Sequence, residues 1–200
     1  MNPEALGEPL ADLAARRPSG SRLRWLNALP AERAEAELLA CCGSKEWAAR
    51  VAARRPFADT AALAGTADQV WEGLGPDGWL EAFAAHPRIG DRSGGAEPAD
   101  ASGGAPGASE RAGGAEWSRA EQAGVADADP GVLAALAEGN LAYKRRFGHV
   151  FLIFASGRKA DELLAALHQR LRNDPETELR MAAAEQRKIT QLRLSKLMRP

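Results

Sequence analysis

The sequence predicts an all-α protein, a compact single-domain bundle of about seven to nine helices. Three observations predict it. Apolar residues recur at helical spacing along most of the chain, strand candidates are nearly absent, and Ser, Asp and Pro stand where helices would begin. Two hundred residues, 45% of them hydrophobic and 26% charged, are enough to bury one core of ordinary size without staples.

The elements follow in order. Residues 1–20, rich in Ala, Pro and Arg, read as a flexible extension, and 21–200 as one helical domain. Ordered structure is expected to start near Leu23-Arg24-Trp25-Leu26-Asn27. Pro30 should open a helix at its first position, running through Leu38 and Leu39 to Cys42. Ser44 can cap a helix from Lys45 to Arg54 that stops before Pro56. A further helix follows Asp59-Thr60 and carries Leu63, Val70 and Trp71. Gly75-Pro76-Asp77-Gly78 reads as a turn leading into a short buried helix, 78–85, bearing Trp79, Leu80 and Phe83.

Residues 93–115 break the pattern. Seven glycines, two prolines and no large apolar side chain cannot offset the entropy of ordering, so a flexible loop is expected inside the domain. A loop that long is either a lid or without function. Beyond it come a helix over Val132–Phe147, an extended or buried run over Val150–Ala155, and a helix over Arg158–Arg172. Asn173-Asp174-Pro175 then separates that helix from the last one, Glu176–Met198. No internal repeat or long heptad pattern is present.

Composition narrows the function. A formal net charge of −1 gives no global pull toward nucleic acid or anionic membrane, and no basic recognition stripe stands out. No apolar run approaches the roughly 20 residues needed to span a bilayer. Met1–Gly20 carries acids and lacks an apolar signal core, so a cytoplasmic location is the expectation. The only two cysteines, Cys41 and Cys42, are adjacent and read as small core residues; nothing suggests a metal.

Chemistry is concentrated in three places. In Phe83-Ala84-Ala85-His86-Pro87-Arg88-Ile89-Gly90, Pro87 drives His86 out of the α region and ends the helix there. An imidazole held at the mouth of an apolar element suits a general acid or base, although a histidine before a proline also serves simply to terminate a helix. His149, beside Gly148, reads as a helix-end neighbour, and His168, in a polar arc, as solvated. The second place is Ser118-Arg119-Ala120-Glu121-Gln122. Ser-x-x-Glu is a capping box, and the same helix N-terminus with its carboxylate and amide also suits an anionic substrate. The third is Arg193, which at about 100° per residue falls within the apolar stripe of Ile189, Leu192 and Leu197. An arginine turned toward a core needs an anion: a structural carboxylate or a substrate carboxylate.

Seven pieces in order resemble one family, the 2-oxo-4-hydroxy-4-carboxy-5-ureidoimidazoline (OHCU) decarboxylases of uric acid breakdown. They are Leu26-Asn27-Ala28-Leu29-Pro30; Cys41-Cys42-Gly43-Ser44 with Trp47; Arg55-Pro56-Phe57; His86-Pro87-Arg88-Ile89-Gly90; Ser118-x-x-Glu121-Gln122; Tyr143-x-x-x-Phe147-Gly148 with Phe151–Ala155; and Glu185-x-x-x-Ile189-x-x-Leu192-Arg193-Leu194. The resemblance covers about Trp25 to Leu197. It implies decarboxylation of the ureidoimidazoline carboxylate to (S)-allantoin and CO2 without a cofactor, by a homodimer.

On that resemblance His86 matches the proton-transferring residue, and Glu121, with Gln122, the residues that contact substrate. Arg193 matches the arginine that binds the substrate carboxylate. Pro87, Ser118, Arg119, Ala120 and the segment Phe151, Leu152, Ile153, Phe154, Ala155 complete the implied pocket. The loop between His86 and Ser118 is longer than the family pattern. The chain also shows no transthyretin-like hydrolase domain of the kind sometimes fused to this family, so one reaction step is expected. The rival expectation is a helical binding or regulatory module that keeps the fold without catalysis.

Overall fold

A computed structural model describes residues 20–90, 117–118, 120–125 and 128–199. The expected extension over 1–20 and loop over 93–115 lie outside the described residues, except that Gly20 opens the first helix. Eight α-helices are described: α1 Gly20–Ala28, α2 Ala31–Cys42, α3 Lys45–Ala52, α4 Thr60–Glu72, α5 Pro76–Ala84, α6 Pro130–Phe147, α7 Ala160–Arg170 and α8 Pro175–Leu197. Residues 117, 118, 120 and 121 are helical and are followed by a 3-10 turn at Ala123–Val125. No strand occurs among the described residues, so the all-α expectation holds.

Helix starts follow local chemistry. Ser44 Oγ accepts from the Trp47 N–H at 3.3 Å, and Asp59 Oδ1 from Ala62 at 2.7 Å. Asp129 Oδ1 accepts from Gly131 at 2.7 Å, and Asp174 Oδ1 from Thr177 at 2.9 Å. Each carboxylate or hydroxyl satisfies an N–H that the helix itself leaves orphaned. Two expectations shift. Pro30 is the N-cap of α2 rather than its first residue. The expected turn at 75–78 is instead the start of α5, with Gly75 as N-cap and Pro76 in the first turn, where a missing N–H costs nothing. Leu80 is exposed, because α5 buries only Gly78, Ala82 and Phe83.

The core has two parts. One gathers α1–α5 and α8 around Trp47, Leu38, Leu63 and Phe83. The other joins α6 and α7 around Leu136, Tyr143, Leu163 and Leu167. Fully burying side chains of this kind contributes about 1.5–3 kcal/mol each.

The run 150–155 threads between them as extended chain. Its alternate residues point to opposite sides: Val150, Leu152 and Phe154 toward the first cluster, Phe151, Ile153 and Ala155 toward the second. Covered on both sides, the segment reads in the sequence as one unbroken apolar run.

Polar locks hold the bundle. Asn27 pairs reciprocally with the Phe57 backbone, both bonds at 2.9 Å. Arg55 Nη1 donates to the Leu26 and Leu29 carbonyls at 2.7 Å and its Nε to Ala52 at 3.0 Å. Between α6, α7 and α8, Arg170 and Glu178 form a buried ion pair that also engages the Tyr143 hydroxyl and Asn173. Cys41 and Cys42 are buried and free, as expected. Burial raises both thiols, Cys42 to about 12, so neither is a thiolate near neutrality.

Candidate active site

His86 lies just past the end of α5. The last turn tightens there, with Ala85 N–H donating to Ala82 at 3.2 Å and His86 N–H to Phe83 at 3.1 Å. Gly43, the C-cap of α2 at φ 86°, packs beneath it; a Cβ there would meet the Ala85 Cβ at 2.6 Å. Beyond Pro87 the chain is pinned twice. Asn140 Nδ2 donates to the Ile89 carbonyl at 2.9 Å, and the Gly90 N–H to Gln122 Oε1 at 3.1 Å. The imidazole is thus fixed by backbone on both sides.

The turn 117–122 supplies the second wall. Ser118, Glu121 and Gln122 share a face, as three- and four-residue spacing requires. Ser118 already lies within the helical turn rather than ahead of it. The Glu121 carboxylate makes no capping-box return; Arg193 of α8 holds it. Arg193 Nε donates to Oε1 at 3.2 Å and Nη2 to Oε2 at 2.8 Å, a two-point clasp, and Nη2 also reaches Ser118 Oγ at 2.9 Å. Lys196 Nζ adds a bond to Glu121 Oε1 at 3.1 Å. Ser118, Glu121 and Arg193 are all buried.

The extended run 151–155 is the third wall. Glu185 Oε2 accepts from the Phe154 N–H at 2.7 Å, and Arg170 Nη1 donates to the Leu152 carbonyl at 2.6 Å. The N–H groups of Ile153 and Ala155 take no partner among the described residues.

These three walls enclose a narrow cleft of about 370 Å3 including its open mouth. His86, Pro87, Ser118, Glu121, Gln122 and Phe151–Ala155 line it, together with Ile89, Ser156 and Ile189. Most of the sequence-predicted residues therefore meet. Three differ. Arg193 stands behind Ser118 and Glu121 rather than in the lining. Ala120 is exposed and does not line the cleft, since it points away from the face shared by 118, 121 and 122. Arg119 lies outside the described residues.

Electrostatics favour an uncharged imidazole facing an anion site. Burial first, and the Arg193 guanidinium after it, bring the His86 pKa down to about 3, while the Gln186 side chain, as a hydrogen-bond acceptor for the ring, opposes them. Within the cluster of Arg193, Lys196 and Glu121, two cations meet one carboxylate, a surplus of one positive charge. Gln122 spends its carbonyl on Gly90, so only its amide N–H groups remain to meet a ligand. His149, stacked among Phe83, Tyr143 and Phe147, bonds the Val150 carbonyl, and burial lowers its pKa; it serves the core. His168 is exposed. Lys196 and Gln186 escaped the sequence reading; their spacing from Arg193 along α8 was the available signal.

A sequence profile described as OHCU decarboxylase matches residues 27–195. The chain belongs to the OHCU decarboxylase family. A uric acid degradation bifunctional protein of Arabidopsis thaliana is 39% identical over 165 residues, 82% of this chain and 47% of that protein. A 2-oxo-4-hydroxy-4-carboxy-5-ureidoimidazoline decarboxylase of Amia calva is 40% identical over 77 residues, 38% of this chain and 44% of that one. The chain thus spans about half the length of the curated relatives it matches.

Among solved structures, an OHCU decarboxylase crystallised in the presence of (S)-allantoin aligns at TM-score 0.65 and 35% identity, covering 82% of this chain and 97% of that one. An (S)-allantoin synthase aligns at TM-score 0.60 and 19% identity, covering 88% and 53%, a likeness of fold. No described helix is long and apolar enough to cross a membrane.

Proposed function

We propose that this OHCU decarboxylase family member removes CO2 from 2-oxo-4-hydroxy-4-carboxy-5-ureidoimidazoline to give (S)-allantoin, without a cofactor. The observation that carries the reading is the convergence of His86, the Arg193-clasped Glu121 and the Gln122 amide on one narrow cleft. Family membership and the OHCU decarboxylase structure support it.

The bond changes can be followed atom by atom. The C–COO⁻ bond of C4 breaks, and its electron pair forms a C4=C5 double bond while the ring C=N nitrogen takes up a proton. The C4 hydroxyl then loses its proton and C5 gains one, which turns the enol into the carbonyl of allantoin. One proton is taken up overall, as loss of CO2 from a carboxylate requires.

Such a reaction needs the departing carboxylate held perpendicular to the ring, developing charge stabilised, and a proton moved to one face. The one surplus positive charge of the Arg193–Lys196–Glu121 group attracts the carboxylate from behind the cleft wall, and the Gln122 N–H groups orient it. Glu121 accepts from the C4 hydroxyl. The N–H groups of Ile153 and Ala155, without a partner among the described residues, suit the ureido carbonyl. A neutral His86 accepts the hydroxyl proton and delivers a proton to C5, setting the handedness of the product. Action as a cytoplasmic homodimer belongs to the same proposal.

The test is an assay with freshly made substrate, generated in place by oxidising and then hydrolysing urate, with allantoin followed by circular dichroism. Fast growth of the (S) enantiomer supports the reading. Slow racemic appearance at the uncatalysed rate overturns it in favour of a binding module.

A further inference from the structure

Among the buried polar atoms that have no bonding partner within the described residues, two are complementary. One is His86 Nε2; the other is Gln186 Oε1 on α8. Gln186 is fully buried. Its Nε2 donates to the Cys42 carbonyl at 3.2 Å and to Thr190 Oγ1 at 3.2 Å, which fixes which way the amide faces. A flipped amide would set its carbonyl against that of Cys42, so Oε1 is the atom left over. Its side chain is also the hydrogen-bonding neighbour of His86, the one influence that favours the protonated ring there. Buried acceptors and ring N–H groups are satisfied as a rule, and these two are matched as acceptor and donor.

We propose that Gln186 is the positioning residue for His86: its Oε1 accepts a hydrogen bond from the His86 Nε2–H and thereby selects the tautomer whose bare Nδ1 serves the cleft. The inference rests on the decarboxylase reading and adds to it the orientation of the proton-transferring ring. A neutral imidazole accepts a proton at one nitrogen only, and the hydrogen bond made by the other decides which. In the opposite tautomer an N–H would confront the substrate hydroxyl, and the buried Nε2 lone pair would face the Gln186 carbonyl. The charged groups around the ring do not supply this bond: Arg193 from α8 has only donors, and the Glu121 carboxylate across the cleft is held by Arg193 and Lys196.

Nitrogen-15 NMR of the histidine rings in the full-length chain reads the tautomer directly, with the His86 signals identified by their loss in His86→Gln. The expected result near neutral pH is a protonated Nε2 and an unprotonated Nδ1. A protonated Nδ1, or an even mixture, overturns the inference.

A second readout is Gln186→Glu, which sets a carboxylate against Nε2–H and stabilises the imidazolium. Its kcat should fall about tenfold to a hundredfold near neutrality, with KM within about twofold. The acid limb of its pH profile should rise by about one unit or more. A limb that stays in place in folded protein contradicts the inference, and if that variant does not fold the tautomer measurement decides alone. The failures are separable: the Nε2–H tautomer without turnover overturns the decarboxylase reading only, and turnover with the Nδ1–H tautomer overturns this inference only.

Discussion

At the scale of single residues, the central pair is Glu121 with Arg193. Three of the five Arg193 N–H donors go to Glu121 and Ser118, while Nη1 takes no partner among the described residues. Two alternatives stood open in the sequence for Arg193, a structural carboxylate and a substrate carboxylate. The fold resolves the first in a particular way: the structural partner is itself a cleft residue. Replacing Glu121 by Ala leaves a buried guanidinium without its anion. That change should cost about 3–5 kcal/mol of folding stability, read by urea unfolding, with decarboxylation falling as well. A loss of activity with unchanged stability would show that the clasp is not the buried pair described.

Elements carry the next level of argument. The extended run 150–155 is a wall because α7 and α8 grip it from behind, Arg170 at the Leu152 carbonyl and Glu185 at the Phe154 N–H. Replacing Glu178 by Ala removes the anion from the buried Arg170 and the acceptor from Tyr143 and Asn173. We expect a loss of about 3–5 kcal/mol, with accelerated amide exchange in 151–155, measured by hydrogen exchange. Protection unchanged in that segment would contradict the grip.

Much of this level was legible in the sequence. Ser44, Asp59 and Asp174 announced their helices because capping is local chemistry, and Val150–Ala155 announced burial by lacking polar residues. Other features were not legible. Pro76 suits a turn and a helix start equally, and only packing of Ala82 and Phe83 decides between them. Gln186 looked like any helical glutamine, because its partners Cys42 and His86 lie far away along the chain. The Glu121–Arg193 pairing spans 72 residues, beyond what spacing can reveal.

For the whole molecule, two depressed histidines tie stability to pH. His86 falls from its ordinary value near 6.5 to about 3, chiefly through burial, and burial also lowers His149. Between those values the unfolded chain binds protons that the folded protein refuses, so stability rises with pH there. The contribution is complete above about 6.5 and drains away as pH falls toward 3. Thermal unfolding should therefore move to lower temperature on acidification through this window, and His86→Gln should flatten the slope. A melting temperature that holds steady or climbs on acidification would contradict a neutral, buried His86.

The same neutral ring anchors the functional account, and the most direct measurement is the turnover of His86→Gln in the circular dichroism assay of freshly generated substrate. The kcat should fall by about two orders of magnitude or more in a variant that remains folded, with the enantiomeric excess of the residual product lost. Turnover close to that of the unaltered protein, still giving (S)-allantoin, would contradict it.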